Sequence, residues 1–238
     1  MAEWTERAEL LFKKEGLEKL KNAHILVVGL GGVGSFAAEF IARAGVGTMT
    51  IVDGDTVDIT NINRQLPALH STVGKPKVQI VGDRLMDINQ ELNLIRLQEF
   101  LSPERAYELV SDKYDYVLDC IDSVTPKLNL IMAAKRKKVK IISNMGAGGK
   151  NDASKVRVTD ISKTDVCPLA KTIRKRLRKE GISKGVKAVY SVEAPDETSV
   201  KMTDGKNFKK SFYGTNSWMP ALFGLHSAQT VVTYLLKQ

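Results

Sequence analysis

The chain has 238 residues, 43% of them hydrophobic, which suits one large α/β domain or a domain with a small appendage. Its net charge of +9 exceeds what a small-metabolite enzyme needs and favours a polyanionic partner such as RNA. The two cysteines, Cys120 and Cys167, exclude a disulfide scaffold and a paired Cys-x-x-Cys zinc site. Residues 1–6 lack the features of a secretion signal, so we expect a cytoplasmic protein.

Strand and helix patterns alternate through the first two-thirds of the chain. Short apolar runs predict strands, and longer amphipathic runs predict helices. In chain order we predict a helix at 10–20, a strand at 25–28, a helix at 35–44, a strand at 48–52, a helix at 75–88, a strand at 94–100, a helix at 103–110, a strand at 116–120, a helix at 127–134 and a strand at 139–143. This order predicts an α/β fold with a doubly wound, Rossmann-like, mostly parallel sheet that binds ligands at the carboxyl ends of its strands.

The alternation weakens after residue 158. We therefore expect a single domain, 1–238, that consists of a nucleotide-binding core at 1–158 and a C-terminal extension at 159–238. The extension holds a basic helix, a polar stretch at 193–210 that we interpret as a mobile loop or hairpin, and an apolar run at 217–236. Because His226 and Gln229 interrupt this last run, it favours a helix packed in the core over a membrane span.

The sequence GLGGVG at residues 29–34 follows the first predicted strand and opens the next helix. Small residues let the backbone approach a phosphate, and the helix N-terminus offers free N–H donors. The candidate phosphate-binding residues are Gly29, Gly31, Gly32 and Gly34. Asp53, at the end of the second predicted strand, is placed to bind ribose hydroxyls. An NAD site would use the same features, so they leave the nucleotide open.

The loop after the second strand carries cations for which a nicotinamide site has no evident use. It reads DGDTVDITNINRQ at 53–65, and GKPK follows at 74–77. Arg64 and Lys77 can neutralise charge on the phosphates of a nucleoside triphosphate. These residues favour ATP, and an NAD-dependent dehydrogenase or a nucleotide-sensing module is the alternative from another class.

Together with DCID at 119–122, these motifs resemble the E1-like adenylating superfamily of ThiF, MoeB and HesA types, which activates carboxylates with ATP. Further stretches are most similar to the tRNA threonylcarbamoyladenosine dehydratases within it: 7–23, 120–127, 146–149, 158–164 and 168–170. The resemblance implies ATP-dependent dehydration, by cyclisation, of threonylcarbamoyladenosine in tRNA through activation of its carboxylate. The alternative within the superfamily is adenylation of the C-terminus of a ubiquitin-like or sulfur-carrier protein.

The resemblance also implies roles for individual residues. Asn61, Arg64 and Lys77 would hold the phosphates of ATP, and Asp55 joins Asp53 as a candidate ATP contact. Asp122 would organise Mg²⁺ and the reacting phosphate, which makes it the candidate metal ligand. The catalytic candidates are accordingly Asp122, Arg64, Lys77 and Arg7.

Arg7 matches a position where an arginine reaches the ATP of the neighbouring subunit, which implies a functional homodimer. The alternative is an ordinary charged residue ahead of a helix. The family also implies a sulfur-relay or acceptor protein as a further partner. Cys167 precedes Pro168 at the start of the basic helix, where cations favour a thiolate. Since a group of the substrate itself can close the ring, we interpret Cys167 as non-catalytic.

The basic helix has two faces. Leu169, Ile173 and Leu177 recur at helical spacing on one side. Cations are predicted on the other side: Lys171, Arg174, Lys175 and Arg178. We expect these to contact the tRNA backbone, and a merely solvated basic face is the alternative. A second basic cluster, at 135–140, is interpreted as the C-terminal turn of a helix.

Overall fold

The computed structural model describes residues 3–202 and 211–238. In these residues one sheet has the strand order β3-β2-β1-β4-β5-β7-β6. Its strands are β1 (His24–Val28), β2 (Thr48–Val52), β3 (Asn93–Leu97), β4 (Tyr116–Asp119), β5 (Lys140–Asn144), β6 (Val156–Asp160) and β7 (Lys187–Ser191). Neighbouring strands pair in parallel except β6, which runs antiparallel to β7. The predicted doubly wound, mostly parallel sheet is confirmed.

Helices cover both faces of the sheet. They are α1 (Glu6–Asn22), α2 (Gly34–Arg43), α3 (Lys77–Ile88), α4 (Pro103–Leu109), α5 (Val124–Arg136), α6 (Pro168–Lys179) and α7 (Trp218–Leu236). Residues of α1, α2, α3 and α7 form the core on one face, and residues of α4, α5 and α6 form it on the other. Because both faces are covered, strands such as β1 and β4 are continuous apolar runs rather than alternating ones.

The order of the strands reverses between β1 and β4. From β1 the chain moves outward to β2 and β3, then returns to β4 on the other side of β1 and continues to β5. In open α/β sheets, ligands bind beyond the carboxyl ends of the strands at such a reversal. The glycine loop leaves β1 at this point and the segment 120–122 leaves β4, so the two meet in one crevice.

The last third of the chain contributes more to the sheet than the sequence indicates. The predicted division between residues 158 and 159 falls inside β6, and neither β6 nor β7 was predicted. β6 is an edge strand with one buried residue, so its sequence VRVTD lacks a continuous apolar run. β7 is buried at four positions but begins at the charged Lys187, inside a lysine-rich segment.

The C-terminal segment ends in a small hairpin and a core helix. The strands β8 (Val200–Met202) and β9 (Ser211–Tyr213) pair antiparallel; β8 lies inside the stretch 193–210 that was expected to be a mobile loop or hairpin, and β9 lies just beyond it. Residues 203–210 lie outside the described part of the chain. As predicted, α7 packs in the core through residues such as Phe223 and Val231. In the described ranges we find no helix with the length and apolarity to cross a membrane.

An ion pair without solvent contact lies beneath the crevice. Lys127 Nζ is 2.7 Å from Asp119 Oδ2, and both side chains are 0% exposed. Ser143 donates to the same carboxylate at 2.5 Å, and Lys127 also donates to the Asn144 carbonyl at 2.8 Å. Burial raises the pKa of Asp119, and Lys127 is the main influence that opposes this shift. Asp119 is therefore a fully buried member of an ion pair that joins β4, α5 and β5.

We expect Lys127→Met to lower the free energy of unfolding by about 3–5 kcal/mol, because it leaves a buried carboxylate without its counter-charge. The loss should grow as pH rises above the ordinary Asp pKa of 3.8, since the folded variant then retains a proton that the unfolded chain releases. Urea denaturation at several pH values measures both effects.

The double variant Lys127→Met with Asp119→Leu provides the control, because it removes both charges together. We expect it to recover most of the lost stability. Equal losses in the single and double variants would contradict the argument from the unpaired charge.

Candidate functional site

The glycine loop joins β1 to α2 with a backbone that excludes side chains at two positions. Gly29 has φ +89°, and a Cβ there would lie 2.9 Å from the Cys120 carbonyl oxygen. A Cβ on Gly34 would lie 1.7 Å from the Gly29 carbonyl oxygen. At Gly31 and Gly32 an added Cβ would face the Gln65 side chain and the Arg64 carbonyl. The loop therefore packs against the segment that carries Arg64, and α2 begins with its N-terminus in the crevice.

Asp53 fixes the end of β2 against the glycine loop. Its Oδ2 accepts a hydrogen bond from the Leu30 N–H at 2.6 Å, and its Oδ1 accepts one from the Asp55 N–H at 2.8 Å. Burial raises the pKa of Asp53, and Lys77 is the largest influence in the other direction. Each oxygen keeps a further lone pair, so the carboxylate can still accept from a ribose hydroxyl.

Lys77 is a shielded cation at the first turn of α3. Its side chain is 7% exposed, and its Nζ lies 3.0 Å from Asp55 Oδ2. The Lys77 N–H also donates to the Asp55 carbonyl at 3.0 Å. The structure thus brings Lys77, Asp55 and Asp53 together. Asp55 is paired with Lys77 rather than directed alone toward a ligand.

Asn61 and Arg64 lie on a short turn of the loop that follows β2. Asn61 is buried, and its Oδ1 accepts from the Asp58 N–H at 3.3 Å. Arg64 Nη1 donates to the Thr60 carbonyl and to Asn63 Oδ1, both at 2.9 Å. Partial burial lowers the pKa of Arg64, and the charge of Asp122 opposes this shift. The charge of Asp122 therefore favours the protonated guanidinium.

Asp122 follows β4 and is exposed, and its Oδ1 accepts from Ser123 Oγ at 3.3 Å. Asp119, of the buried ion pair, lies shortly before Asp122 at the end of β4. Its partner Lys127 lies on α5, the helix that follows Asp122. No group of three or more His, Cys, Asp or Glu residues able to hold a metal occurs in residues 3–202 and 211–238. A Mg²⁺ ion here would depend on Asp122 together with phosphate oxygens, which is how Mg²⁺ commonly binds beside nucleotides.

Gln65 was not singled out by the sequence reasoning. Its Oε1 is a buried side-chain oxygen without a hydrogen-bond partner, and its amide faces Gly31. Buried polar groups without partners are uncommon in proteins and need an explanation such as a bound water or ligand. The position next to Arg64 in the sequence was the available signal. Together with the glycine backbone, this orphaned acceptor fits a polar ligand in the crevice.

Two other sequence candidates lie apart from this cluster. Arg7 is exposed near the start of α1, ahead of a break in that helix at Lys13, which has φ +63°. Cys167 is 2% exposed and sits at the N-cap of α6. It belongs to the core cluster that includes Ile173 and Leu177 and is not presented to the crevice.

The cations of α6 are not equivalent. Lys171, Lys175 and Arg178 are exposed, as predicted. The expectation for Arg174 is wrong, because this residue is half-buried and its Nη1 donates to the Thr164 carbonyl at 2.7 Å. The Arg174 side chain turns toward the loop before α6, because this loop packs against its side of the helix. Ala170 joins Ile173 and Leu177 in the buried stripe, and Leu169 packs partly buried against the same core.

The fold and the site define an α/β protein of the nucleotide-binding class, with a candidate ligand crevice at the reversal point of the sheet. The model of the ThiF family matches residues 6–238, and the chain belongs to this family.

Its relatives support a narrower comparison. The tRNA threonylcarbamoyladenosine dehydratase of Bacillus subtilis is 44% identical over 238 residues, which cover 97% of this chain and 94% of that protein. The crystal structure of the Escherichia coli tRNA N6-threonylcarbamoyladenosine dehydratase in complex with ATP has a TM-score of 0.88 and 35% identity, with coverage of 97% and 93%. The molybdopterin-synthase adenylyltransferase of Salmonella typhimurium is 39% identical over 132 residues, which cover 56% of this chain and 53% of that protein.

We expect neither cysteine to react with a thiol reagent in the native protein. Cys167 is buried, and burial raises the pKa of Cys120, so neither presents an accessible thiolate. Both should react after denaturation, which serves as the control. Rapid labelling of Cys167 in the native protein would contradict its placement in the core.

Proposed function

We propose that this protein is an ATP-dependent tRNA threonylcarbamoyladenosine dehydratase. The observation that carries the proposal is the 44% identity to a dehydratase over nearly the whole of both chains, in a fold that resembles an ATP-bound dehydratase. The similarity to the molybdopterin-synthase adenylyltransferase covers about half of each chain. Activation of a carrier protein's C-terminus is therefore the less supported alternative.

Each residue of the crevice has a separate role in activating a carboxylate. The glycine loop and the N-terminus of α2 supply N–H donors for phosphates, and Asp53 accepts from the ribose. Asn61, Arg64 and Lys77 neutralise and orient the phosphates. Asp55 keeps the Lys77 ammonium in place through its ion pair.

The proposed reaction needs no protein nucleophile. A carboxylate oxygen of the threonylcarbamoyl group attacks a phosphorus of ATP, and a phosphate product leaves. A nitrogen or oxygen of the same substituent then attacks the activated carbonyl carbon and closes a ring. The former carboxylate oxygen leaves with the phosphate, so the nucleoside loses one water overall. Asp122 would hold a Mg²⁺ ion, which would supply neutralising charge beside the phosphates, and Arg64 stabilises charge that develops at phosphorus.

We also propose an oligomeric state, a cellular location and further partners. The protein is proposed to act as a homodimer in which Arg7 reaches the neighbouring subunit's ATP, and to work in the cytoplasm. A sulfur-relay or acceptor protein is proposed as an additional partner. The surface cations Lys171, Lys175 and Arg178 are proposed to contact tRNA phosphates. Within this scheme the core is 1–158, and the extension at 159–238 supplies the basic surface.

Incubation with ATP, Mg²⁺ and bulk tRNA, followed by digestion and mass spectrometry of the nucleosides, tests the reaction. We expect a modified adenosine that is lighter by one water. Asp122→Asn and Arg64→Ala should each lower turnover by about 10²–10³-fold, because each removes charge stabilisation in the transition state. Cys167→Ala should retain most of the activity and provides the control.

Activity within a few-fold of the parent in Asp122→Asn or Arg64→Ala would remove that residue from the mechanism. An unchanged tRNA together with ATP-dependent modification of a carrier protein would favour the alternative function.

Replacing Lys171, Lys175 and Arg178 with Ala should weaken tRNA binding and lower its salt slope by roughly two units, since each phosphate contact contributes about 0.7–0.9. ATP affinity should not change. Filter binding at several salt concentrations measures the slope. A matched variant replaces Lys135, Lys137 and Lys138 near the C-terminal end of α5. This end lies near the start of β7, where Lys135 Nζ donates to the Gly185 carbonyl at 3.4 Å.

If the α5 variant loses the larger part of the slope, the RNA contact lies at the C-terminal end of α5 and the α6 face is only solvated.

A further inference from the structure

Asn63 bridges the Arg64 guanidinium and the segment that joins β9 to α7. Its Oδ1 accepts a hydrogen bond from Arg64 Nη1 at 2.9 Å. Its Nδ2 donates to the Thr215 carbonyl at 2.8 Å, across 152 positions of sequence. One short side chain thus joins the candidate phosphate ligand to the C-terminal part of the chain.

An amide is suited to this place for a chemical reason. A guanidinium only donates hydrogen bonds, and a backbone carbonyl only accepts them. A residue between the two must accept on one side and donate on the other. Turning the Asn63 amide over would break both bonds, so the partners fix its orientation. An aspartate could satisfy Arg64 but not the Thr215 carbonyl.

The segment that Asn63 contacts is itself held in place. Gly214, directly before Thr215, accepts from the Gly149 N–H at 2.8 Å and donates to the Ser199 carbonyl at 2.9 Å. Directly after Thr215, Asn216 Nδ2 donates to the Lys150 carbonyl at 2.8 Å. The Thr215 carbonyl is therefore a fixed anchor at the base of the β8–β9 hairpin.

We propose that Asn63 is a positioning residue that directs the Arg64 guanidinium toward the nucleotide phosphates and ties this direction to the base of the hairpin. The inference rests on the proposed role of Arg64 in phosphate binding. Asn63 is exposed, so its hydrogen bonds add little to folding stability. Their effect is to hold one orientation of the flexible Arg64 side chain before ATP arrives, which lowers the conformational entropy lost on binding.

A double-mutant cycle on ATP affinity tests the inference. Isothermal titration with ATP and Mg²⁺, without tRNA, compares the parent, Asn63→Ala, Arg64→Ala and the double variant. We expect Asn63→Ala to weaken ATP binding roughly tenfold when Arg64 is present and to change nothing further when Arg64 is absent. Additive losses would overturn the proposal, because Asn63 would then act independently of Arg64.

Asn216→Ala is the matched control. It removes hydrogen bonds to the Lys150 carbonyl and Asn151 Oδ1 from the same neighbourhood, and it has no bond to Arg64 among the described residues. We expect its melting temperature to fall while its ATP affinity stays within threefold of the parent, because the two backbone hydrogen bonds of Gly214 still hold the Thr215 carbonyl in place. An equal loss of ATP affinity in Asn216→Ala and Asn63→Ala would reduce Asn63 to a structural role.

The tRNA assay separates this inference from the proposed function. In that assay Asn63→Ala should lower kcat and leave the KM for tRNA unchanged. A non-additive double-mutant cycle on ATP affinity, in a protein that does not dehydrate tRNA, would reject the dehydratase function and retain the role of Asn63. An additive cycle in a protein that does dehydrate tRNA would retain the dehydratase function and reject the role of Asn63.

Discussion

The ion pair between Lys127 and Asp119 is the constraint on which the crevice depends. It removes two charges from water, which is costly unless the partners are close and their remaining hydrogen-bonding groups are satisfied. Here the Asp119 carboxylate also accepts hydrogen bonds from Ser143 and the Ile121 N–H. The Lys127 ammonium also donates one to the Asn144 carbonyl. Because Lys127 lies on α5 and Asp119 ends β4, the pair defines the turn from which Asp122 emerges.

The network continues across the sheet to the opposite layer of helices. The Asn144 side chain donates to the Asp119 carbonyl at 3.2 Å and accepts from Ser227 of α7 at 2.8 Å. Asp53 makes the corresponding link between β2 and the glycine loop. Buried and partly buried carboxylates thus hold the loops, whereas Asp122 and Arg64 are more exposed. These hydrogen bonds explain how a site made of separate chain segments keeps one shape.

Local patterns could predict the parts of this structure whose causes are local. Alternating apolar and amphipathic runs predicted the β1–α2–β2 unit, and small residues at 29–34 predicted the turn, because spacing alone determines both. Lys127 could not be predicted as buried, since a lysine at a helix start usually reaches solvent and its partner lies on another element. The same holds for Arg174, whose direction depends on the loop before α6 that contains Thr164, and for Gln65, whose unpaired Oε1 is evident only in three dimensions.

The order of the last three sheet strands has a consequence for synthesis on the ribosome. β6 is made before β7, but β7 lies between β5 and β6 and is the neighbour of both. Until residues 187–191 have emerged, the outer edge of β5 is open and β6 has no strand to join. The buried hydrogen bond between Asn144 and Ser227 forms later still, with α7. A nascent chain that has completed its glycine loop therefore has the sequence for binding a nucleotide well before it has a closed sheet to hold one.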